Sequence, residues 1–171
     1  MRHRKMIFWM GALFLSTASL ALAEESAQTT SLYDRLGGEA AITAVVDDFV
    51  GRAAADPAVN FTRKGTANEW EATPENVALL KKHLVQFIAK TAGGPQVYEG
   101  EDMKTAHAGM EITDAEFNAL AGDLKASLDT FKVPAQEQKD LLAAVETTRK
   151  DIVESMDDAD PVKPPVSQSG Y

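Results

Sequence analysis

An all-α domain is what the apolar pattern of this chain predicts. Three observations carry that expectation. Apolar residues recur near a 3.6-residue period in every long segment, helix start and stop signals bound those segments, and no stretch alternates apolar and polar residues as a half-buried strand would. Self-similarity at any fixed spacing is also missing, so repeat architectures are not expected.

The N-terminal segment stands apart from the domain. Arg2, His3, Arg4 and Lys5 form a basic stretch, Met6 to Leu15 an apolar one, and Ala21-Leu-Ala23 places small residues where a signal peptidase reads. The apolar run is shorter than the roughly 20 residues of a spanning helix. Residues 1–23 are therefore expected to be a cleaved signal peptide, with export to the periplasm, and residues 24–30 a flexible lead. The domain is expected over 31–156. Ser31 to Leu36 forms a short helix closed by Gly37-Gly38, and Gly38 to Ala55 a long one whose Ile42, Val45, Val46, Phe49 and Val50 share a face. Asp56-Pro57 stops it, and residues 58–72 form a loop with short turns.

Thr73-Pro74-Glu75 supplies a capping hydroxyl, a proline at the first helical position and an acid in the first turn, which starts a helix that runs to Ala92 before Gly93-Gly94-Pro95. Asp102 to Ala108 reads as a short helix. Thr113-Asp-Ala-Glu116 is a capping box opening a third long helix with Phe117, Leu120, Leu124, Leu128 and Phe131 on its apolar face. Val133-Pro134 marks a break. Gln136 to Met156 is expected as one last helix, bearing Leu141, Leu142, Val145, Ile152 and Val153, and the Pro/Ser-rich stretch 157–171 as a disordered tail.

Composition narrows the function classes. Removing Arg2, Arg4 and Lys5 with the signal peptide leaves 14 cationic side chains against 26 acidic ones, a net charge of −12, on a chain of 148 residues. That balance argues against nucleic acid and anionic lipid surfaces as partners, and no membrane insertion is expected after cleavage. There is no cysteine, so there are no disulfides, thiolate-ligated clusters or Cys-x-x-Cys-His haem attachment. A Gly-rich phosphate loop after a strand, a His-Glu-x-x-His and a Ser/His/Asp arrangement are all missing.

Two histidines remain in the mature chain, and they carry the chemistry. His107 lies in Met103-Lys-Thr-Ala-His-Ala-Gly-Met110, where Ala106, Ala108 and Gly109 would let a flat group approach the backbone. His83 lies at the edge of a stripe formed by Leu80, Leu84, Phe87, Ile88 and Thr91, which is expected to be buried. Imidazole is the commonest side-chain ligand of transition metals, and two of them on facing helices without thiols suggest axial ligation of one planar metal cofactor. Read on its own, His83 is as well explained as a half-exposed side chain reaching water from the stripe's edge.

The order of the segments adds to this. Ser31-Leu-Tyr-Asp-Arg-Leu-Gly-Gly-Glu39, Asp48-Phe49 with Ala55-Asp56, Lys81-Lys-His-Leu-Val-Gln-Phe87 leading into Gly93-Gly-Pro95, Tyr98-Glu-Gly100, Met103-Lys-Thr-Ala-His107 and Ile112-Thr-Asp-Ala-Glu-Phe117 follow one another over roughly residues 31–153. In that combination they resemble the group 1 truncated haemoglobins, the compact two-over-two globins. The resemblance implies non-covalent haem b between the helices which that family labels B, E, G and H. It implies His107 as the proximal iron ligand and Phe61 packing on the porphyrin. Leu80, Leu84, Phe87 and Ile88 would line the distal side, with Tyr98, Met103, Ile112 and Phe117 around the proximal edge and Lys104 a candidate for a propionate.

The sequence departs from the family pattern where ligands would be held. Val50 stands where many members carry a helix B tyrosine, and Leu84 where a helix E glutamine is common. Each lost hydrogen bond to a charged acceptor removes on the order of 1.5–3 kcal/mol. His83 occupies the helix E position at which some cyanobacterial members carry a second axial histidine, which makes it a distal ligand or gate. The resemblance implies reversible binding of a diatomic gas (O₂, NO or CO). The rival reading is a bis-histidyl redox protein for electron transfer or NO/peroxide detoxification, whose electron donor the sequence does not name. A third reading is a helical bundle with structural histidines and no cofactor.

Overall fold

A computed structural model describes residues 30–154. The expected signal peptide, nearly all of the 24–30 lead, and the 157–171 tail lie outside the described residues. Within them the chain forms seven helices and no strand: α1 Leu32–Arg35, α2 Gly38–Ala55, α3 Pro74–Thr91, α4 Met103–His107, α5 Asp114–Thr130, α6 Ala135–Glu146 and α7 Arg149–Ile152.

The local signals act as expected. The hydroxyl of Ser31 accepts from the Asp34 amide at the start of α1, and Gly37, at φ +93°, makes the left-handed turn into α2. Asp56 is extended ahead of Pro57 and ends α2. Thr73 accepts from the Asn76 amide with Pro74 at the first position of α3. At α5 both halves of the Thr113–Glu116 capping box are formed.

α2 is central among the described helices. It packs on α3 along one side and on α5 along another, α6 packs on α5, and α1 bridges α2 and α6. Its buried face is Ile42, Val45, Val46, Phe49, Val50 and Ala53, all in one apolar cluster with Val85, Ile88 and Ala89 of α3, Leu124 and Leu128 of α5 and Leu141 of α6. Each fully buried side chain of Val or Leu size contributes about 1.5–3 kcal/mol, so the two helix pairs are held chiefly through α2. One polar group enters this interface. Ser127, fully buried, donates to Asp48 Oδ2 at 2.7 Å, and Arg52 Nε donates to the same oxygen at 2.6 Å. The Arg52 and Ser127 hydrogen bonds hold the Asp48 carboxyl below its ordinary range.

Several expectations fail in detail. The single helix over 136–156 is interrupted: α6 ends at Glu146, and α7 starts at Arg149. The reason lies in Thr147 and Thr148, whose hydroxyls donate back to the carbonyls of Ala144 and Val145 and draw the backbone into a tight turn. Thr91 is exposed rather than part of a buried stripe. Phe131, expected on the α5 face, is its C-cap and is 44% exposed, because the helix ends before its side chain can turn inward.

Candidate functional site

The helix bearing His83 has two apolar faces. At about 100° per residue, Val85, Ile88, Ala89 and Ala92 fall on one side, and all four are buried in the main core. Leu80, His83, Leu84 and Phe87 fall on another, and all four are half-buried. Ile88, expected on the distal side, is thus committed to the α2–α5–α6 core. Leu84 sits between the faces and touches the core from its edge.

Over the second face lies Tyr98. Its ring meets His83 edge-on at a centroid distance of 6.1 Å and Phe87 at 5.7 Å, and its hydroxyl donates to the Glu101 carbonyl at 2.8 Å. Tyr98 was expected at the proximal edge; the short 93–97 connection after α3 folds it back onto that helix instead. Burial, with the nearby charges of Asp102 and Glu101, raises its phenol pKa. Glu99 is anchored beside it, accepting from Lys82 Nζ at 2.6 Å and Gln86 Nε2 at 3.1 Å. Those contacts, the Lys82 hydrogen bond first, hold its carboxyl below the usual range.

The second histidine is prepared differently. Asp102 caps α4, accepting from the amide and the hydroxyl of Thr105 at 3.0 and 2.7 Å. One turn of α4 then brings His107 Nδ1 to 2.8 Å from the Met103 carbonyl oxygen. A carbonyl only accepts, so Nδ1 carries the proton and the lone pair is left on Nε2. A metal-binding imidazole needs this second contact to fix its tautomer and ring plane.

The chain after His107 is held from two remote segments. Asn68 Nδ2 donates to the Gly109 carbonyl. Glu154 accepts from the amides of Gly109 and Glu111 at 2.5 and 3.0 Å, and its own amide donates to the Ile112 carbonyl at 3.0 Å. Arg63, 7% exposed, donates to the Glu111 carbonyl at 3.2 Å and to Glu116 Oε1 at 2.7 Å. α7 packs on α4 from the same side.

The remaining expected residues are dispersed around these two groups. Phe61 meets Trp70 edge-on at 5.7 Å. Met103 and Ile112 are half-buried, and Phe117 is buried beneath the Arg149 guanidinium, 4.2 Å from its ring centroid. Lys104 is exposed. Hydrogen bonds and ring contacts bring His83, Phe87 and Tyr98 together, and Met103 with His107. They do not join the two groups directly; the link is the Tyr98–Asp102 segment. Sequence reasoning missed Arg63, Asn68 and Glu154. Each acts on a residue far away in the chain, and no local pattern records that.

These residues fit a haem. One neutral imidazole has its tautomer fixed with Nε2 left to coordinate, and a second imidazole sits among half-buried apolar side chains on a different helix. There is no thiolate to compete, and the described residues hold no cluster of three or more His, Cys, Asp or Glu side chains suited to a bare metal ion.

Comparison with known proteins gives the same answer. A family model described as bacterial-like globin matches residues 31–154. The group 1 truncated hemoglobin GlbN of Mycolicibacterium paratuberculosis is 35% identical over 119 residues, 70% of this chain and 81% of that protein. The group 1 truncated hemoglobin of Tetrahymena thermophila is 32% identical, covering 71% and 93%. Among solved structures, the Fe(III) form of the truncated hemoglobin from Tetrahymena pyriformis superposes with a TM-score of 0.63 at 29% identity, over 74% of this chain and all of that one. The 2/2 hemoglobin of Synechococcus sp. PCC 7002, in the cyanomet state with covalently attached haem, superposes with a TM-score of 0.61 at 28% identity, covering 72% and 98%. The chain belongs to the truncated haemoglobins of group 1, two-over-two globins that bind haem b.

Proposed function

We propose that this protein reversibly binds a diatomic gas, O₂ with NO and CO as alternatives, at a haem iron held by His107, with His83 as a displaceable distal ligand. Ferrous haem supplies the coordination position at which such a gas binds. The observation that carries the reading is the 2.8 Å contact of His107 Nδ1 with the Met103 carbonyl, which leaves Nε2 as the coordinating atom. Leu80, Leu84 and Phe87 exclude water from the distal side. With Val50 buried in the core and Leu84 in place of an amide, neither family position offers a hydrogen-bond donor to a bound ligand. His83 is the side chain near that face able to reach a metal, and a gas that must displace it binds with an apparent affinity lowered by the fraction of open protein.

Titration of the purified protein with haemin tests the proximal assignment. Wild type should take up one haem per chain. His107→Gly should lose the ordinary spectrum and recover it in millimolar imidazole, and an unchanged spectrum in that variant would remove His107 from the iron.

A second reading, redox chemistry at bis-histidyl haem, is favoured by the same His83, and the expected export limits which form it can take. Outside the cytosol, nicotinamide-dependent reductases are not at hand, so repeated turnover would need a separate electron donor. Residues 1–23 support the periplasmic location, which N-terminal sequencing of exported protein beginning at Glu24 would establish.

A further inference from the structure

Tyr98 is fixed more firmly than its place in a connecting loop would suggest. Its hydroxyl is tied to the Glu101 carbonyl at 2.8 Å. Its ring lies against the bare Cα of Gly100, where a Cβ would collide with the phenol. The next residue, Glu99, is bolted to α3 through Lys82 and Gln86, the amide of Glu99 donating to Gln86 Oε1 at 3.2 Å while its carboxylate accepts from both side chains. Lys82 and Gln86 flank His83 in the helix. The loop is thus fastened on either side of the histidine, and Tyr98 lies across the ridge made by His83 and Phe87, both in edge contact with it.

A fixed aromatic wall beside a side chain with two rotatable bonds removes some of its rotamers. Tyr98, set edge-on against both His83 and Phe87, stands as such a wall beside the imidazole.

We propose that Tyr98 is a positioning residue for His83: by edge contact it holds the imidazole on the cofactor side of α3 and so favours the closed, His83-ligated state over the open state that binds gas. This rests on the reading of His83 as the distal ligand. Phe87, on the same helix, cannot serve in this way because it moves with His83. Tyr98 belongs to a separate segment and gives the histidine an external reference.

The test is the rate of CO binding to the reduced, haem-loaded full-length protein, measured by stopped flow in wild type, Tyr98→Ala, His83→Ala and the double variant, with the low-spin fraction read from the visible spectrum. Because aromatic edge contacts shift equilibria by about two- to tenfold, Tyr98→Ala should raise the CO rate by that factor and lower the low-spin fraction. On the His83→Ala background the same substitution should change the rate by less than twofold. Tyr98→Phe, which keeps the ring, should stay within twofold of wild type. Gly100→Ala, which displaces the ring without deleting it, should move the rate in the same direction as Tyr98→Ala and keeps the test open if Tyr98→Ala fails to hold haem. Equal effects of Tyr98→Ala with and without His83, a slower rate, or no change in either Tyr98→Ala or Gly100→Ala would overturn the proposal while leaving His83 as a ligand. A His83→Ala protein with wild-type spectrum and CO rate would instead remove the distal-ligand reading itself.

Discussion

A histidine that binds iron divides the work between its two nitrogens, and at His107 the division is visible: Nδ1 is spent on the Met103 carbonyl, and Nε2 is left. The contact is a main-chain one, so it depends on the turn of α4 and survives changes to the Met103 side chain. Met103→Leu is therefore expected to bind haem at wild-type stoichiometry in a haemin titration, whereas His107→Ala should lose stable binding. Arg63 shows a different logic. It is buried at a left-handed φ of +52° and pairs with Glu116 at 2.7 Å, so removing Glu116 leaves the buried guanidinium with only the Glu111 carbonyl as acceptor and destabilises the fold. Glu116→Ala also opens the capping box and should lower the denaturant midpoint more than Lys125→Ala, which breaks a half-exposed pair within one helix. Residue identities were the most legible part of the site. His107 and His83 could be singled out because residues 24–171 hold no other histidine, whereas Arg63 and Glu154 gain their meaning only from partners more than 40 positions away.

Elements were legible wherever their ends carry chemistry. Thr73-Pro74, Thr113 to Glu116 and Gly37-Gly38 each satisfy or interrupt specific backbone groups, and the helices start where those residues stand. Thr73→Ala should cost about 1 kcal/mol through the lost cap on α3, measurable by urea unfolding. The misreadings came where two forces compete. Apolar residues continue through 147–148 at helical spacing, but two adjacent threonines offer their hydroxyls to the preceding carbonyls and the helix breaks. On α3 a single periodic stripe concealed two faces, because spacing marks apolar residues without saying what they meet. Ile88 and Ala89 meet α2, while Leu80 and Phe87 face the site. Substituting one residue on each face should separate the two roles: Ile88→Ala should lower stability by about 2–5 kcal/mol, whereas Leu80→Ala should alter ligand kinetics with a smaller loss in stability.

At the scale of the whole molecule, stability should depend on pH in a definite direction. Burial pushes the Glu116 carboxyl up, but hydrogen bonds from the Thr113 amide, Arg63 and the Thr113 hydroxyl more than offset this and leave it lowered. A carboxyl lowered in the folded state stabilises above its unfolded pKa of about 4.3, and that stability is lost as the pH falls through the folded value. Asp123 runs the other way. Burial and the charge of Asp56 raise it, so its ionisation weakens the fold near neutrality and its protonation relieves that as the pH drops. Asp48 and Asp129 join Glu116 on the lowered side, so Tm should fall between pH 6 and pH 3, and Glu116→Gln should flatten the fall. None of the helices among the described residues is long and apolar enough to cross a membrane. The fold as a whole was readable because one central helix with a continuous buried face organises it. The site was readable only in part because it is assembled from segments far apart in the chain, among them Arg63, His83, His107 and Glu154. The measurement that bears most directly on the central claim is the visible spectrum of the haem-loaded protein, ferric and dithionite-reduced, beside that of His83→Ala. A low-spin spectrum that turns five-coordinate and high-spin in the variant is the predicted result. A high-spin spectrum in both would take His83 off the iron, and the absence of a Soret band would contradict the haem assignment outright.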